Sequence, residues 1–190
     1  FVLLRGIPRE RYEPLEMEIL YWGIGMHLGA PWPQNQYGHV LGDVIDQGKP
    51  AEDPTSRGNE IGRIAFPYHS DGSDLVGLMC LQKARSGGTS TVANAVAIHN
   101  DLVREAPELT AALYAPQPYD FRGGQPPGAR PWYTMPVFTR WGKRLFVRYI
   151  RPYILASQRH ADAPRIEPVA ETAMQRLDAM TRDPAYNVFM

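Results

Sequence analysis

The chain has 190 residues, of which 17 are Gly and 18 are Pro. That share, about 18%, exceeds the average of about 12%, which disfavours a helical bundle and favours short strands joined by many loops. Twenty basic side chains balance twenty acidic ones, so the positive footprint of a nucleic-acid binder is missing. An apolar share of 44% is enough to build a core at a length that suits one domain. The single cysteine, Cys80, excludes an intrachain disulfide and makes a cytoplasmic setting the default. No apolar run reaches the roughly 18 residues of a membrane span.

In chain order, Phe1-Val2-Leu3-Leu4-Arg5-Gly6 reads as a core strand, and a chain opening on one implies residues before it. A helix is expected over 14–28. Pro14 suits its first turn, Gly29 its stop, and Leu15, Ile19, Trp22 and Met26 share one face. Residues 30–60 are loop with at most one strand, near 39–45. Strands are expected over 61–68 and 75–81, the second burying Cys80 as an inert thiol. A helix over 93–106 carries Val96, His99, Leu102, Val103 and Ala106, and Pro107 restarts it with Leu109, Ala112 and Leu113 inward. After a Pro/Gly loop at 120–134 comes a hairpin, 136–139 and 144–150 around Arg140-Trp141-Gly142-Lys143. Leu145, Val147 and Tyr149 face one way and Arg144, Phe146 and Arg148 the other. The last helix, 168–180, sets Val169, Ala173, Leu177 and Met180 on one stripe, and the tail reads as the start of another strand.

Three His-x-Asp motifs occur: His69-Ser70-Asp71, His99-Asn100-Asp101 and His160-Ala161-Asp162. The motif is half of the 2-His-1-carboxylate set that holds non-haem iron, and is weakly specific alone. Its two ligands must point the same way, as residues i and i+2 do on a strand but not on a helix. His99 and Asp101 fall in a helix and diverge, so His99 reads as a hydrogen-bonded, partly buried residue. His160 and Asp162 read as polar surface loop. His69 and Asp71 stand at a strand end, where an iron platform and an Asp-Gly turn are equally good readings. Among softer signals, Arg85-Ser86-Gly87-Gly88-Thr89-Ser90-Thr91 is either a plain turn or an anion site. It lacks the P-loop pattern. Arg148 either faces outward or, facing inward, needs an acidic partner or an anionic ligand. His27 and His39 read as structural. The absence of a Gly-x-Ser-x-Gly elbow disfavours a serine hydrolase.

Several stretches in this order resemble the TauD/TfdA (taurine dioxygenase) family of Fe(II)- and 2-oxoglutarate-dependent dioxygenases. They are the opening 1–6 segment, Pro33-Gln34-Asn35 with Gly38-His39, and Pro67-Tyr68-His69-Ser70-Asp71-Gly72. Gly87-Gly88-Thr89-Ser90, Ala97-Ile98-His99-Asn100, and Pro136-Val137-Phe138 leading into Leu145-Phe146-Val147-Arg148-Tyr149 complete the set. The resemblance implies a mixed, mainly β domain spanning 1–190: a double-stranded β-helix (jelly roll, clavaminate synthase-like) with flanking helices. It implies that His69 and Asp71 ligate iron and that Ser90, or its neighbour Thr89, contacts 2-oxoglutarate. It places Asn35 and Arg151 near the substrate. Retention of Asp71, where related halogenases lose the carboxylate, favours hydroxylation.

The implied activity is oxidation of a small, anionic organic substrate by O2, with 2-oxoglutarate going to succinate and CO2. No nucleic-acid or membrane partner is expected. The family's second iron His and its 2-oxoglutarate Arg fall after the last helix, so the domain is expected to be incomplete at both ends. Apolar surface left bare by absent strands would favour homo-oligomers. The alternatives are a catalytically silent jelly-roll protein binding a small anion, and another cupin-like metalloenzyme such as an isomerase.

Overall fold

A computed structural model describes residues 1–35, 37–50, 52–61 and 65–189. Chain proximity divides it into two units, residues 1–42 with 73–88 and residues 43–72 with 89–190.

The first unit contains helix α1, Pro14–Met26. Pro14 occupies the first turn, where its missing N–H is no loss. The Glu16 carboxylate reaches back to accept from the Glu13 N–H at 2.8 Å, which closes a capping box. The helix forms as expected, but its apolar face does not: Leu15, Ile19 and Met26 are exposed, and Met17 is the buried residue. The opening segment is also corrected. Residues 1–6 form no strand, and Phe1, Val2, Leu3 and Leu4 are all exposed. Residues 75–81 form no strand either, and Leu75, Val76, Leu78 and Leu81 are exposed. Cys80 is therefore an exposed thiol, not a buried one. Apolar alternation marks what a strand would bury, yet a strand exists only where a neighbour accepts its backbone hydrogen bonds.

The second unit holds the core. Helices α2, Ala95–Glu105, and α3, Pro107–Tyr114, meet at Pro107. Asn94 caps α2 by accepting from the Ala97 N–H at 3.1 Å. Ile98 and Leu102 turn inward from α2 and Leu113 from α3, whereas Val96 and Val103 are exposed. Helix α5, Pro168–Arg182, lays Ala170, Ala173, Met174, Leu177 and Met180 inward. Val169, assigned to that stripe from sequence, is exposed.

Among the described residues, three two-stranded antiparallel sheets complete this unit. β2, Pro116–Asp120, pairs with β3, Trp132–Pro136. β4, Phe138–Trp141, pairs with β5, Arg144–Val147, in the expected hairpin. Its turn is tighter than expected, since Arg140 and Trp141 pair as part of β4 and Gly142 takes the turn with φ +60°. β1, Thr91–Ala93, pairs with β6, Asn187–Phe189, so the strand expected of the tail is present. Several elements are not expected from sequence: β1, β3, most of which falls in the expected 120–134 loop, β2 and α4. β2 carries two prolines, which normally argue against a strand. Helix α4, Arg151–Ser157, is only seven residues long, too short for a periodic signal. Of the strand expected over 61–68, residues 62–64 lie outside the described residues, and 65–68 are not strand.

Candidate functional site

Ser70 anchors the His69–Asp71 segment within the second unit. Its N–H donates to the Tyr149 carbonyl at 2.9 Å. Its hydroxyl donates to the Val147 carbonyl at 2.7 Å and accepts from the Tyr149 N–H at 2.8 Å. Arg148 closes the arrangement, donating from Nη1 to the Ser70 carbonyl at 3.0 Å. One serine thus occupies the hydrogen-bonding edge beyond β5 as a strand would. The His-x-Asp spacing points to His69 and Asp71 and carries no signal for the residue between them.

His69 and Asp71 are both exposed. The His69 ring meets Phe66 edge to face, centroids 4.5 Å apart. Its Nδ1 lies 2.9 Å from the Pro67 carbonyl oxygen. A carbonyl only accepts, so Nδ1 carries the proton, and in the neutral ring Nε2 keeps a free lone pair. Metal-binding histidines are commonly oriented through such a contact on the far nitrogen. The Asp71 carboxylate has no hydrogen bond or ion pair among the described residues. This donor chemistry fits two of the three positions of a His/carboxylate iron set. Among the described residues no third His, Cys, Asp or Glu joins them.

Thr89 and Ser90 are exposed, with β1 beginning at the next residue. Asn35 belongs to the first unit, where it organises a turn. Its Oδ1 accepts from the Tyr37 N–H at 3.0 Å and the His39 N–H at 3.3 Å, and its Nδ2 lies 3.0 Å from His39 Nδ1. Arg151 starts α4 and is taken up by two carboxylates. Nη1 donates to Asp178 Oδ2 at 2.5 Å, and Nη2 donates to Glu171. Burial alone would lower the Arg151 pKa, but the hydrogen bond and charge of Asp178, with Glu171, raise it. Tyr149 joins the network, donating to Asp178 Oδ1 at 2.7 Å.

The other two motifs are accounted for structurally. His99 Nε2 lies 2.8 Å from the Tyr114 hydroxyl, while Asp101 accepts from the Tyr186 hydroxyl at 2.7 Å, so the pair diverges as expected. The surface-loop reading of His160 is corrected. Its Nε2 lies 2.9 Å from Asp120 Oδ2, and Asp120 has no exposed surface. Arg159 Nε meets the same oxygen at 2.8 Å. Asp162 instead accepts from the Trp132 indole at 3.1 Å. A fully buried carboxylate requires such partners, and their distance along the chain hides them from sequence reading.

Comparison with known proteins agrees with the family resemblance. All of residues 1–190 match the model of the taurine catabolism dioxygenase TauD, TfdA family, and the chain belongs to it. It is 37% identical over 148 residues to FR-33289 synthase of Streptomyces rubellomurinus (strain ATCC 31215), a match covering 77% of this chain and 43% of that protein. It is 27% identical over 161 residues to the taurine hydroxylase-like protein SAT17 of Stachybotrys chartarum (strain CBS 109288 / IBT 7711), covering 81% of this chain and 41% of that protein. The chain thus matches less than half the length of either relative. No helix among the described residues is long and apolar enough to cross a membrane.

Proposed function

We propose that the protein containing this chain is an Fe(II)- and 2-oxoglutarate-dependent dioxygenase that oxidises, by hydroxylation, a small organic substrate. The observation that carries the proposal is the His69 ring. Its Nδ1 proton is spent on the Pro67 carbonyl, so Nε2 is presented as a metal donor beside the unpartnered Asp71. Family membership supports the cofactor class and a closed jelly roll, towards which the three antiparallel pairs would contribute.

Iron bound there would supply the O2 chemistry that side chains lack. The chain's own residues do the rest. His69 and Asp71 hold the metal, Ser70 fixes the backbone between them, and Phe66 shields one side of the imidazole. The hydroxyls of Ser90 and Thr89, placed just before β1, are assigned to the 2-oxoglutarate carboxylate as hydrogen-bond donors. The substrate roles of Asn35 and Arg151 have the least support, because the first closes a turn and the second is paired to two carboxylates.

The test is succinate release by the full-length enzyme supplied with Fe(II), 2-oxoglutarate and O2. Asp71→Ala and His69→Ala should each lower it by about 100-fold or more, since loss of a residue merely supporting a ligand already costs about 10–100-fold. Both side chains are exposed, so the fold should survive. Turnover that persists in Asp71→Ala would overturn the metal assignment. Absence of succinate from the iron-loaded wild type would favour a silent anion-binding protein.

A further inference from the structure

We propose that Arg122 and Arg148, with the phenol of Tyr153, form a binding site for the oxyanion group of a small organic acid. The two arginines come from different parts of the second unit and share a cluster of aromatic rings. The Arg122 guanidinium sits over the Tyr153 ring, 5.1 Å from its centre. Arg148 Nη2 donates to the Tyr133 hydroxyl at 3.4 Å. Tyr133 stacks on Tyr119 at 5.3 Å and 14° and leans on Phe121 at 4.6 Å. Tyr119 in turn donates to the Arg148 carbonyl at 2.5 Å, so the aromatic layer fixes both ends of that residue.

The unusual feature is what these arginines lack. Both are half-buried, yet every acceptor their guanidiniums meet among the described residues is neutral. Arg122 donates from Nε to the Ser56 carbonyl at 2.8 Å and from Nη2 to the Asp53 carbonyl at 3.4 Å. Arg148 donates to the Ser70 carbonyl and the Tyr133 phenol. The nearby carboxylates are engaged elsewhere. Asp53 accepts from the Thr55 N–H and hydroxyl, both at 2.8 Å, and Asp120, paired to Arg159 and His160, meets Arg122 only at its backbone N–H. A third guanidinium, that of Arg57, comes so near Gly124 that an added Cβ would meet its Nη2 at 2.8 Å.

Tyr153 registers the combined field. Burial raises its pKa, and Arg57, Arg122 and Arg148 all pull it down. Its hydroxyl has no partner among the described residues and remains available as a donor. Partly desolvated guanidiniums that donate to no carboxylate, as is true of Arg122 and Arg148 among the described residues, are costly, and the Asp53 charge acts on Arg122 only through space. Their planar forks suit carboxylate, phosphate or sulfonate oxygens. Arg148 also touches the metal-candidate segment through Ser70, and the Gly72 Cβ position lies 3.7 Å from its Nη1. An acid held here would be bound next to His69 and Asp71. The site itself stands whether or not those two residues bind iron.

The test is therefore run on metal-free protein in EDTA and low-chloride buffer, by calorimetric titration with inorganic phosphate and, separately, with succinate. Saturable binding of either is expected. Preference for succinate assigns the site to a carboxylate, preference for phosphate to a tetrahedral oxyanion. Arg122→Gln and Arg148→Gln should each weaken binding about tenfold or more, with Arg148→Lys intermediate. Arg104→Gln, whose side chain is exposed and paired to Asp101 and Glu105, should leave binding unchanged. Should a variant fail to fold, the wild type still decides, because its Arg122 and Arg148 Nε–H NMR signals must shift on titration. No saturable binding, unmoved signals, or wild-type affinity in both glutamine variants would overturn the proposal. None of these outcomes depends on the succinate-release assay.

Discussion

At the scale of single residues, Ser70 matters more than its exposure suggests. It makes three hydrogen bonds to the backbone at residues 147 and 149, and its carbonyl takes a fourth from Arg148. Ser70→Ala keeps the backbone contacts but leaves the Tyr149 N–H and Val147 carbonyl without the hydroxyl. A destabilisation of about 1–3 kcal/mol is expected, measurable by denaturant unfolding. Iron affinity should also fall by about 10–100-fold, as for other groups that orient ligands. Unchanged iron affinity in a destabilised Ser70→Ala protein would confine the serine to a structural role. Spacing marks His69 and Asp71 along with two other His-x-Asp pairs, and the family resemblance singles them out as the expected iron ligands. The sequence is silent about Ser70, because the groups that make Ser70 important lie nearly eighty residues later in the chain.

At the scale of elements, the pairing of β1 with β6 is reinforced by one polar contact. Tyr186, just before β6, donates to Asp101 on α2 at 2.7 Å. That hydrogen bond, with a further contribution from Arg104 against the opposing effect of burial, lowers the Asp101 pKa below its ordinary value. A depressed carboxylate adds stability that is complete above its unfolded pKa, about 3.9, and is lost as pH falls through the lower folded value. Tyr186→Phe should thus be less stable than wild type near neutral pH, and the gap should close below about pH 3.9. Parallel unfolding curves at pH 7 and pH 3 check this, and a gap of equal size at both would rule the linkage out. Helices α2, α3 and α5 and the β4–β5 hairpin were legible from their apolar periods, although Val96, Val103 and Val169 of the expected stripes are exposed. β2 was not, since four of its five residues are buried while its prolines mimic a loop. The hydrophobic stripe of α1 was legible as a pattern yet did not predict burial.

At the scale of the whole molecule, apolar packing is unevenly distributed. The continuous buried cluster, from Ile98 and Leu113 through Tyr119 and Phe138 to Met174 and Leu177, lies within the second unit. The first unit carries exposed Phe1, Val2, Leu4, Leu15, Ile19, Trp32, Leu75 and Leu78. Protection from amide exchange follows buried contact and internal hydrogen bonding. Exchange followed by mass spectrometry should therefore be slow across α2, α3 and α5 and fast across 1–13 and 75–88. Equal protection in the two sets would contradict the structure. Composition had indicated a chain able to build a core, and it does. Composition carries no information about where along the chain that core forms, which is why the strands expected near residues 1–6 and 75–81 were misjudged.

The register that sets Val92 against Val188 has a consequence in time. Closing a loop between such distant segments costs entropy that near-neighbour contacts avoid, and non-local pairings slow folding. α2, α3 and the β4–β5 hairpin can each form from adjacent sequence, whereas β1 must wait for the chain beyond α5. Thr89 and Ser90, which lead into β1, therefore reach their final setting among the last parts of this unit to do so, and a nascent chain would acquire the hydroxyls proposed to meet 2-oxoglutarate only once synthesis had passed β6.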